Sequence, residues 1–146
     1  MGLVYTDITL KNSGDVQNVG RGFVKEAEVR EVAVNALVDT GSGTLVISEE
    51  IRQKLGLAIT GLRRSELADG TKQVYQVTEP VDVHWKNRET SCRALVVPHA
   101  RTVLLGAIPL EDMDLIVNPG AQELSGAHGD EPLCLIMSFV NNCCEQ

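Results

Sequence analysis

The sequence predicts a mostly β fold, a barrel or a sandwich that also carries one or two short helices. Three features predict it. Apolar and polar residues alternate with a period of two over several short runs, as they do in half-buried strands. Turn-forming Asn, Asp, Gly and Ser separate these runs at close spacing. The helical segments are too few and too brief to alternate with strands in βαβ units, so a parallel α/β fold is not expected.

The first part of the chain predicts three strands. Alternation over residues 5–10 indicates a strand, and the Asn-Ser-Gly-Asp cluster at 12–15 predicts the turn that closes it. Between residues 23 and 38, valines recur in the manner of strands. The charged pair at 30–31 interrupts them where a hairpin could reverse, so we expect two strands in this stretch.

A short strand and a short helix follow. Residues 45–47 form an apolar run that predicts a buried strand. Ser48 is a candidate N-cap, and the two glutamates at 49–50 lie in the first turn, where the helix dipole favours acids. We expect this helix to run to about Leu55 and to end at Gly56.

Two hairpins are predicted in the middle of the chain. The Asp-Gly dipeptide within residues 67–71 lies between alternating arms, which is the strongest short-range hairpin signal in this sequence. A second reversal is expected at 86–88, between the alternating run 81–85 and the apolar run 94–97.

The remaining elements are brief. Residues 102–106 predict a buried strand that ends in glycine, and Pro109 suits the first position of a short helix over 109–113. Residues 115–117 predict one more strand. The stretch 119–132 predicts a loop or a hairpin around Glu123 and Leu124, and the apolar run 133–140 predicts a terminal strand.

Composition excludes several classes of function. The chain has 146 residues, enough for one globular domain, and a formal net charge of −7, which disfavours nucleic acid and anionic membranes as partners. Its longest apolar runs fall far short of the roughly 20 residues of a membrane helix. The first residues lack the basic segment and apolar core of a secretory signal, so a cytoplasmic location is expected. The four cysteines and three histidines show no metal-ligand spacing, and no metal is expected.

One tetrapeptide carries candidate chemistry. Asp39, Thr40, Gly41 and Ser42 directly follow the apolar run 36–38, which places a carboxylate at the end of a strand expected to be buried. The simplest interpretation is a turn, because all four residues are turn formers. The surrounding motifs favour a catalytic role instead.

These motifs occur in the order found in one protein family. They are Asp39-Thr40-Gly41, Leu55-Gly56-Leu57, Ala68-Asp69-Gly70, Leu104-Leu105-Gly106, Pro109-Leu110-Glu111 and Val117-Asn118-Pro119. In this order the sequence resembles the retropepsin-like aspartic proteases, particularly the small single-domain members of bacteria and archaea. The resemblance covers about residues 4–126. It implies a protease domain over 1–126 that forms a closed acid-protease barrel with one lobe per chain, followed by a tail, 127–146, that could add a strand to a dimer interface.

The resemblance implies an aspartic endopeptidase that acts as a homodimer on a peptide or protein substrate, without a cofactor. Each chain supplies one Asp39, and two carboxylates about 3 Å apart share one proton, as is established for aspartic proteases. The pair activates a water between them. Thr40 would link the two catalytic loops, Gly41 would let the backbone approach the carboxylates, and Ser42 would add a hydroxyl bond. An acidic optimum is expected.

Two further motifs acquire roles from the resemblance. Ala68, Asp69 and Gly70 would form the tip of a flap that closes over substrate and excludes water. The second strand-glycine motif, which comprises Leu104, Leu105 and Gly106, would support the catalytic loop.

Two alternatives remain open from the sequence. The same fold could serve as a peptide-binding or dimerisation module with weak or lost catalysis, which the low aromatic share of 3% favours because it leaves few large anchors for a substrate groove. The intact Asp39 motif favours the enzyme, since a binding module has little use for paired carboxylates. A metal-dependent protein that uses the histidines and cysteines is the third interpretation, and stoichiometric zinc would support it.

Overall fold

A computed structural model of the protein describes residues 3–136. This part of the chain contains eleven strands, three α-helices and a 3₁₀ turn, Glu26–Glu28. In chain order the α-helices and strands are β1 Val4–Asn12, α1 Ser13–Gly20, β2 Glu31–Val38, β3 Leu45–Ile47, α2 Glu49–Leu55, β4 Ile59–Glu66, β5 Lys72–Thr78, β6 Val81–Trp85, β7 Arg88–Cys92, β8 Ala94–Val96, β9 Leu104–Leu105, α3 Ala107–Asp112, β10 Leu115–Asn118 and β11 Glu123–Gly126. No helix within residues 3–136 combines the length and apolarity needed to cross a membrane.

The fold is mostly β, as predicted, but the strands form an open sheet. Nine strands follow the order β4-β5-β8-β3-β9-β2-β1-β6-β7, and β10 pairs with β11 in a separate ribbon. A closed barrel requires the two edge strands to pair. In the described part of the chain β4 and β7 do not pair with each other, and β4 belongs to a hairpin whose residues are mostly exposed. The predicted closed barrel is therefore not confirmed.

The centre of the sheet sets the position of the candidate site. Strand β1 pairs antiparallel with β2 along almost its whole length, from Val4 opposite Val38 to Lys11 opposite Glu31. At its far end β2 also pairs in parallel with the short strand β9. The chain that leaves β2 thus starts from a backbone fixed on both sides.

Alternate residues of these strands build one hydrophobic core. Leu10, Leu45, Ile47 and Leu105 are fully buried, and the helices add Leu55 and Leu110. Burial of each such side chain contributes about 1.5–3 kcal/mol. The core therefore holds β2, β3 and β9 rigidly beneath the loop that connects β2 to β3.

The predicted turn at 12–15 is wrong, because these residues start helix α1. The side chain of Asn12 accepts a hydrogen bond of 3.1 Å from the backbone N–H of Asp15. The same bond closes an Asx turn and caps a helix N-terminus, so the residue types alone do not separate the two outcomes. Asn12 is also buried and donates to the carbonyl of Leu55 at 2.8 Å, a contact between distant segments.

The hairpin predicted at 30–31 is also wrong. A loop with the 3₁₀ turn Glu26–Glu28 precedes β2, which is the one strand that the structure shows within residues 23–38. At Arg30 the chain already runs beside the end of β1, since the N–H of Asn12 donates to the carbonyl of Arg30 at 3.0 Å. Asp15 accepts from the backbone N–H of Arg30 at 3.0 Å and from its guanidinium at 2.8 and 2.9 Å. This contact ties the start of β2 to helix α1.

We expect the Asp15–Arg30 pair to contribute to the loss of unfolding free energy at acidic pH. The hydrogen bonds from Arg30 lower the pKa of the Asp15 carboxyl, so its contribution to the free energy of unfolding is present above about pH 4 and is lost as pH falls through the lowered pKa. Arg30 is half exposed, which limits the effect to about 1 kcal/mol. Denaturant titrations between pH 2 and 6 should show a shallower acid loss for Asp15→Asn and for Arg30→Gln, and no further change in the double variant. Additive effects of the two substitutions would contradict the pairing.

Two other strand predictions need correction. The hairpin at 86–88 is present, but its second arm is β7, Arg88–Cys92. The run 94–97 instead contributes β8, which pairs in parallel with β3 and antiparallel with β5. A parallel pairing between distant segments leaves no local signal in the sequence. The turn at 86–88 does leave one, because it depends on neighbouring residues.

The later elements agree with prediction except at their ends. The helix predicted to start at Pro109 begins two residues earlier, at Ala107, with Gly106 as its N-cap. Strand β10 and a hairpin partner, β11, are present. Residues 133–136 form no strand, and the rest of the predicted terminal strand, 137–140, lies outside the described residues.

Candidate active site

The backbone of Asp39 is anchored at the junction of two strands. Asp39 is the first residue after β2, and its N–H donates to the carbonyl of Leu105 in β9 at 3.0 Å. Two residues earlier along the same edge, the N–H of Leu37 donates to the carbonyl of Val103 at 2.8 Å. The half-buried Asp39 therefore continues the pairing of β2 with β9 beyond the end of the strand.

Both carboxylate oxygens of Asp39 accept hydrogen bonds from its own loop. The N–H of Gly41 donates to Oδ1 at 3.0 Å, and the hydroxyl of Ser42 donates to Oδ2 at 3.0 Å. The N–H of Ser42 also donates to the backbone carbonyl of Asp39 at 3.1 Å, which closes the turn. Thr40 is exposed at the outer rim of the loop. The side chain of Asp39 is thus held in one orientation by groups within three residues of it.

The predicted strand-glycine motif lies directly beneath this loop. The N–H of Ala107 donates to the carbonyl of Ser42 at 2.8 Å, and the N–H of Ile108 donates to the carbonyl of Gly43 at 3.0 Å. A Cβ atom on Gly106 would lie 2.3 Å from the carbonyl oxygen of Thr44. Only glycine lets the two backbones approach this closely. The structure thus brings Leu104, Leu105 and Gly106 to the loop that holds Asp39.

The predicted Asp-Gly hairpin is confirmed as the connection between β4 and β5. Leu67 and Thr71 close it, since the N–H of Leu67 donates to the carbonyl of Thr71 at 2.7 Å. Gly70 has φ of +85°, a left-handed conformation that suits glycine and is typical of such turns. The side chain and backbone of Thr71 hold the pKa of the Asp69 carboxyl below its usual value. Ala68, Asp69 and Gly70 are exposed at the tip.

A cleft of about 410 Å³ separates the loop that holds Asp39 from this hairpin. Gly41 and Ser42 line it on the loop side, and Ser65, Leu67 and Tyr75 line it on the hairpin side. The sequence predicted a role for the tip and not for these three residues. Alternation along the strands predicts that they share one face of the hairpin, but it does not predict that this face turns toward the loop.

A larger cavity, of about 660 Å³, lies on another part of the molecule. Trp85 and Arg88 contribute to its wall, together with β11, and none of its lining residues belongs to the loop that holds Asp39 or to the hairpin of β4 and β5. Arg88 is buried and donates to the carbonyls of Met113, Asp114 and Gly129 at 2.9, 2.5 and 2.6 Å. These bonds fix the C-terminal end of α3 and give Arg88 a structural role.

The histidines and cysteines do not assemble into a second site in the described chain. Within residues 3–136, no three His, Cys, Asp or Glu side chains are placed to hold a metal ion. His128 contacts Asp114 at 2.8 Å, and His84 lies 3.5 Å from Glu89. The partly buried Cys92 packs against the core, and burial raises the pKa of its thiol to about 11, so the thiol is protonated at neutral pH.

Comparisons with known proteins point to the same part of the chain. Residues 25–122 match the model of a family described as aspartyl protease, a segment that contains Asp39, the hairpin and Gly106. Among solved structures the chain is similar to the retroviral EIAV protease complexed with the inhibitor HBY-793. The identity is 19%, the match covers 76% of this chain and 88% of that chain, and the TM-score is 0.51, so this likeness concerns the fold. No curated protein sequence matches the chain.

Proposed function

The chain belongs to the aspartyl protease family and has a retropepsin-like fold, and on this premise we propose that it is an aspartic endopeptidase that works as a homodimer. One observation carries the proposal most directly. The carboxylate of Asp39 is held by Gly41 and Ser42 at the end of a rigid strand and next to an open cleft. A plain turn needs no such arrangement beside a cleft.

The need for two carboxylates supports the dimer. Peptide hydrolysis by this chemistry requires a base and an acid at the same time, and the family motif occurs once in the chain. A two-fold axis beside the catalytic loop would bring Asp39 and the partner subunit's Asp39 together. The exposed position of Thr40 suits a contact between the two loops.

The proposed reaction uses one proton shared by the pair. The ionised carboxylate takes a proton from a water molecule while the water oxygen attacks the peptide carbonyl carbon. At the same time the protonated carboxyl gives its proton to the carbonyl oxygen. When the C–N bond breaks, the first carboxyl protonates the leaving nitrogen and the second recovers a proton from the gem-diol. The pair returns to its starting state with one shared proton, and no metal or cofactor takes part.

The hairpin is proposed to act as the flap. Ser65, Leu67 and Tyr75 line the cleft opposite Gly41 and Ser42, and the tip at Asp69 and Gly70 is exposed to solvent, as closure over a bound peptide would require. Closure over a bound peptide would exclude bulk water from the reacting carboxylates.

A peptide-cleavage assay tests the proposed activity. The purified chain is incubated with a diverse peptide mixture from about pH 3 to pH 8, and products are read by mass spectrometry. We expect cuts with a bell-shaped pH profile centred on the acidic side of neutrality, because both the shared proton and the ionised partner are needed. Activity that rises steadily above pH 7 would contradict a carboxylate pair.

Mixing of subunits tests the dimer. When the wild-type chain is mixed with an excess of Asp39→Asn chain and allowed to exchange, active dimers should become rare because most wild-type chains then pair with an inactive one. We expect activity per wild-type chain to fall toward zero as the excess grows. Addition of an equal amount of wild-type chain in place of the variant is the control. Activity that is unaffected by the variant would show that a single chain is sufficient.

A binding module is the second candidate. The low aromatic content favours it, since Tyr75 is the aromatic residue among the cleft-lining side chains of the described chain. Peptide binding without cleavage by folded, dimeric protein would support this function.

The free Cys92 thiol fits a reducing compartment, and we propose the cytoplasm for either function.

A further inference from the structure

Strand β2 has an open edge along its first half. The N–H groups of Leu37 and Asp39 point away from β1, toward β9. Because backbone groups alternate in direction along a strand, the N–H and C=O groups of Ala33 and Asn35 point the same way. The pairing of β2 with β9 covers only the end of β2, so within residues 3–136 no strand pairs with Ala33 or Asn35 on that side.

A groove of about 510 Å³ runs along this open edge. Residues 32–35 of β2 form one wall and helix α2 forms the opposite wall. Residues 100–103 also line the groove, up to the point where Val103 accepts a hydrogen bond from the N–H of Leu37. An unpaired edge is a template for another strand, and the groove leaves this edge accessible.

The charged residues around the groove favour an acidic occupant. Lys54 of α2 and Arg101 of the bend contribute two positive charges to its walls, and Glu50 contributes one negative charge. Glu50 lies 3.3 Å from Lys54, while Arg101 forms no ion pair with any carboxylate within residues 3–136. The chain as a whole is acidic, so this local positive excess runs against its overall charge.

We propose that the open edge of β2 binds an extended segment of a partner protein as an added strand, with an acidic side chain of the segment placed against Arg101. Main-chain hydrogen bonds to Ala33 and Asn35 supply the affinity in this mode of recognition, and the groove walls select side chains. The site differs from the cleft, but Ala100 and Thr102 line both. A protein held at the edge is therefore brought close to the cleft, and binding itself does not require catalysis.

The first test is amide hydrogen exchange in Asp39→Asn protein, which removes the proposed activity. In the free protein the N–H groups of Ala33 and Asn35 should exchange fast, whereas those of Val34 and Ala36, which pair with β1, should be protected. Protection of Ala33 and Asn35 at all concentrations would show that the chain covers its own edge. Protection that appears only at high concentration would assign the edge to a second copy. Either result overturns the proposal.

The second test uses peptides selected on the same variant from a displayed random library. Selected peptides should be acidic, should protect Ala33 and Asn35 from exchange, and should lose about tenfold in affinity when N-methylated at every second residue but not at the residues between. A selection in which no peptide protects Ala33 and Asn35, or in which the protecting peptides tolerate N-methylation at every position, would overturn the proposal.

Protein variants provide matched controls for the peptide measurements. Ala33→Pro removes the N–H that faces the groove without loss of a bond to β1, and should weaken binding about tenfold. Ala33→Ser keeps that N–H and should bind like the parent. Arg101→Ser should lower the affinity for acidic peptides a few-fold at low salt and by less at high salt. Equal affinities for the proline and serine variants would exclude main-chain pairing.

Discussion

Asp39→Asn should lower kcat/KM for peptide cleavage by about 10³-fold or more, with little change in stability. The substitution keeps the size of the side chain, and the amide oxygen can still accept the hydrogen bond from Gly41 or from Ser42. What it removes is the group that takes the proton from water, and general base catalysis contributes about 10²–10⁴-fold. Initial rates on a peptide identified in the cleavage assay measure the loss, and thermal unfolding of the same samples measures stability.

Asp130→Asn is the matched control for this experiment. Asp130 is exposed and lies outside the cleft, so the same chemical change there should leave the rate unchanged within about twofold. Cuts that persist equally in the Asp39 and Asp130 variants would assign the activity to another site or to a contaminant, and the proposed function would fail.

Gly106→Ala should cost about 3 kcal/mol of unfolding free energy and remove most activity. The added Cβ would lie 2.3 Å from the carbonyl oxygen of Thr44 and 2.6 Å from that of Ser42. Both are backbone atoms that no side-chain rotation can move, so either the catalytic loop or β9 must shift, and overpacking of this kind costs about 1–3 kcal/mol. Urea titration measures the stability, and the peptide assay measures the rate.

Gly20→Ala makes the same substitution at the end of helix α1, where nothing lies within 4 Å of the added Cβ. Its stability should be unchanged or raised by up to about 1 kcal/mol, and its activity should equal that of the wild type. If Gly106→Ala proves as stable and active as Gly20→Ala, the close approach of the two backbones is not required.

The elements that could be predicted are those whose cause is local. Ser48 caps α2 by accepting from the N–H of Ile51 at 3.2 Å, and Gly56 ends the helix with φ of +64°. Both residues act on neighbours within a few positions, so the sequence pattern contains the whole interaction. The Asp69-Gly70 turn is of the same kind.

The sequence predictions that proved wrong concern segments held by long-range contacts. Asn12, at the start of α1, is bound to the distant Leu55, and Arg30, where a hairpin was predicted, is bound to Asn12 and Asp15. The pairing of β3 with β8 joins segments that no periodicity connects. These contacts depend on the tertiary structure, which overrides local preference.

The candidate site shows the same division. Asp39 and the glycine motif at Gly106 were recognised because each has a fixed local pattern, and the structure places them in adjacent loops. The cleft wall formed by Ser65, Leu67 and Tyr75 was missed because it depends on which face of the hairpin turns toward the loop. That orientation follows from how β5 pairs with β8, which is a property of the whole sheet.

The two hydrogen bonds to the Asp39 carboxylate orient it before any substrate binds. Gly41 and Ser42 fix its rotamer within the chain, so a substrate need not order it. Ordering a free side chain at binding costs about 0.5–1.5 kcal/mol, and here folding has already met that cost. Weakly and tightly bound peptides therefore meet the same preorganised oxygen atoms. Discrimination among peptides then arises in the cleft walls and in hairpin closure, which makes Leu67 and Tyr75 the positions at which to alter selectivity while the reacting group stays unchanged.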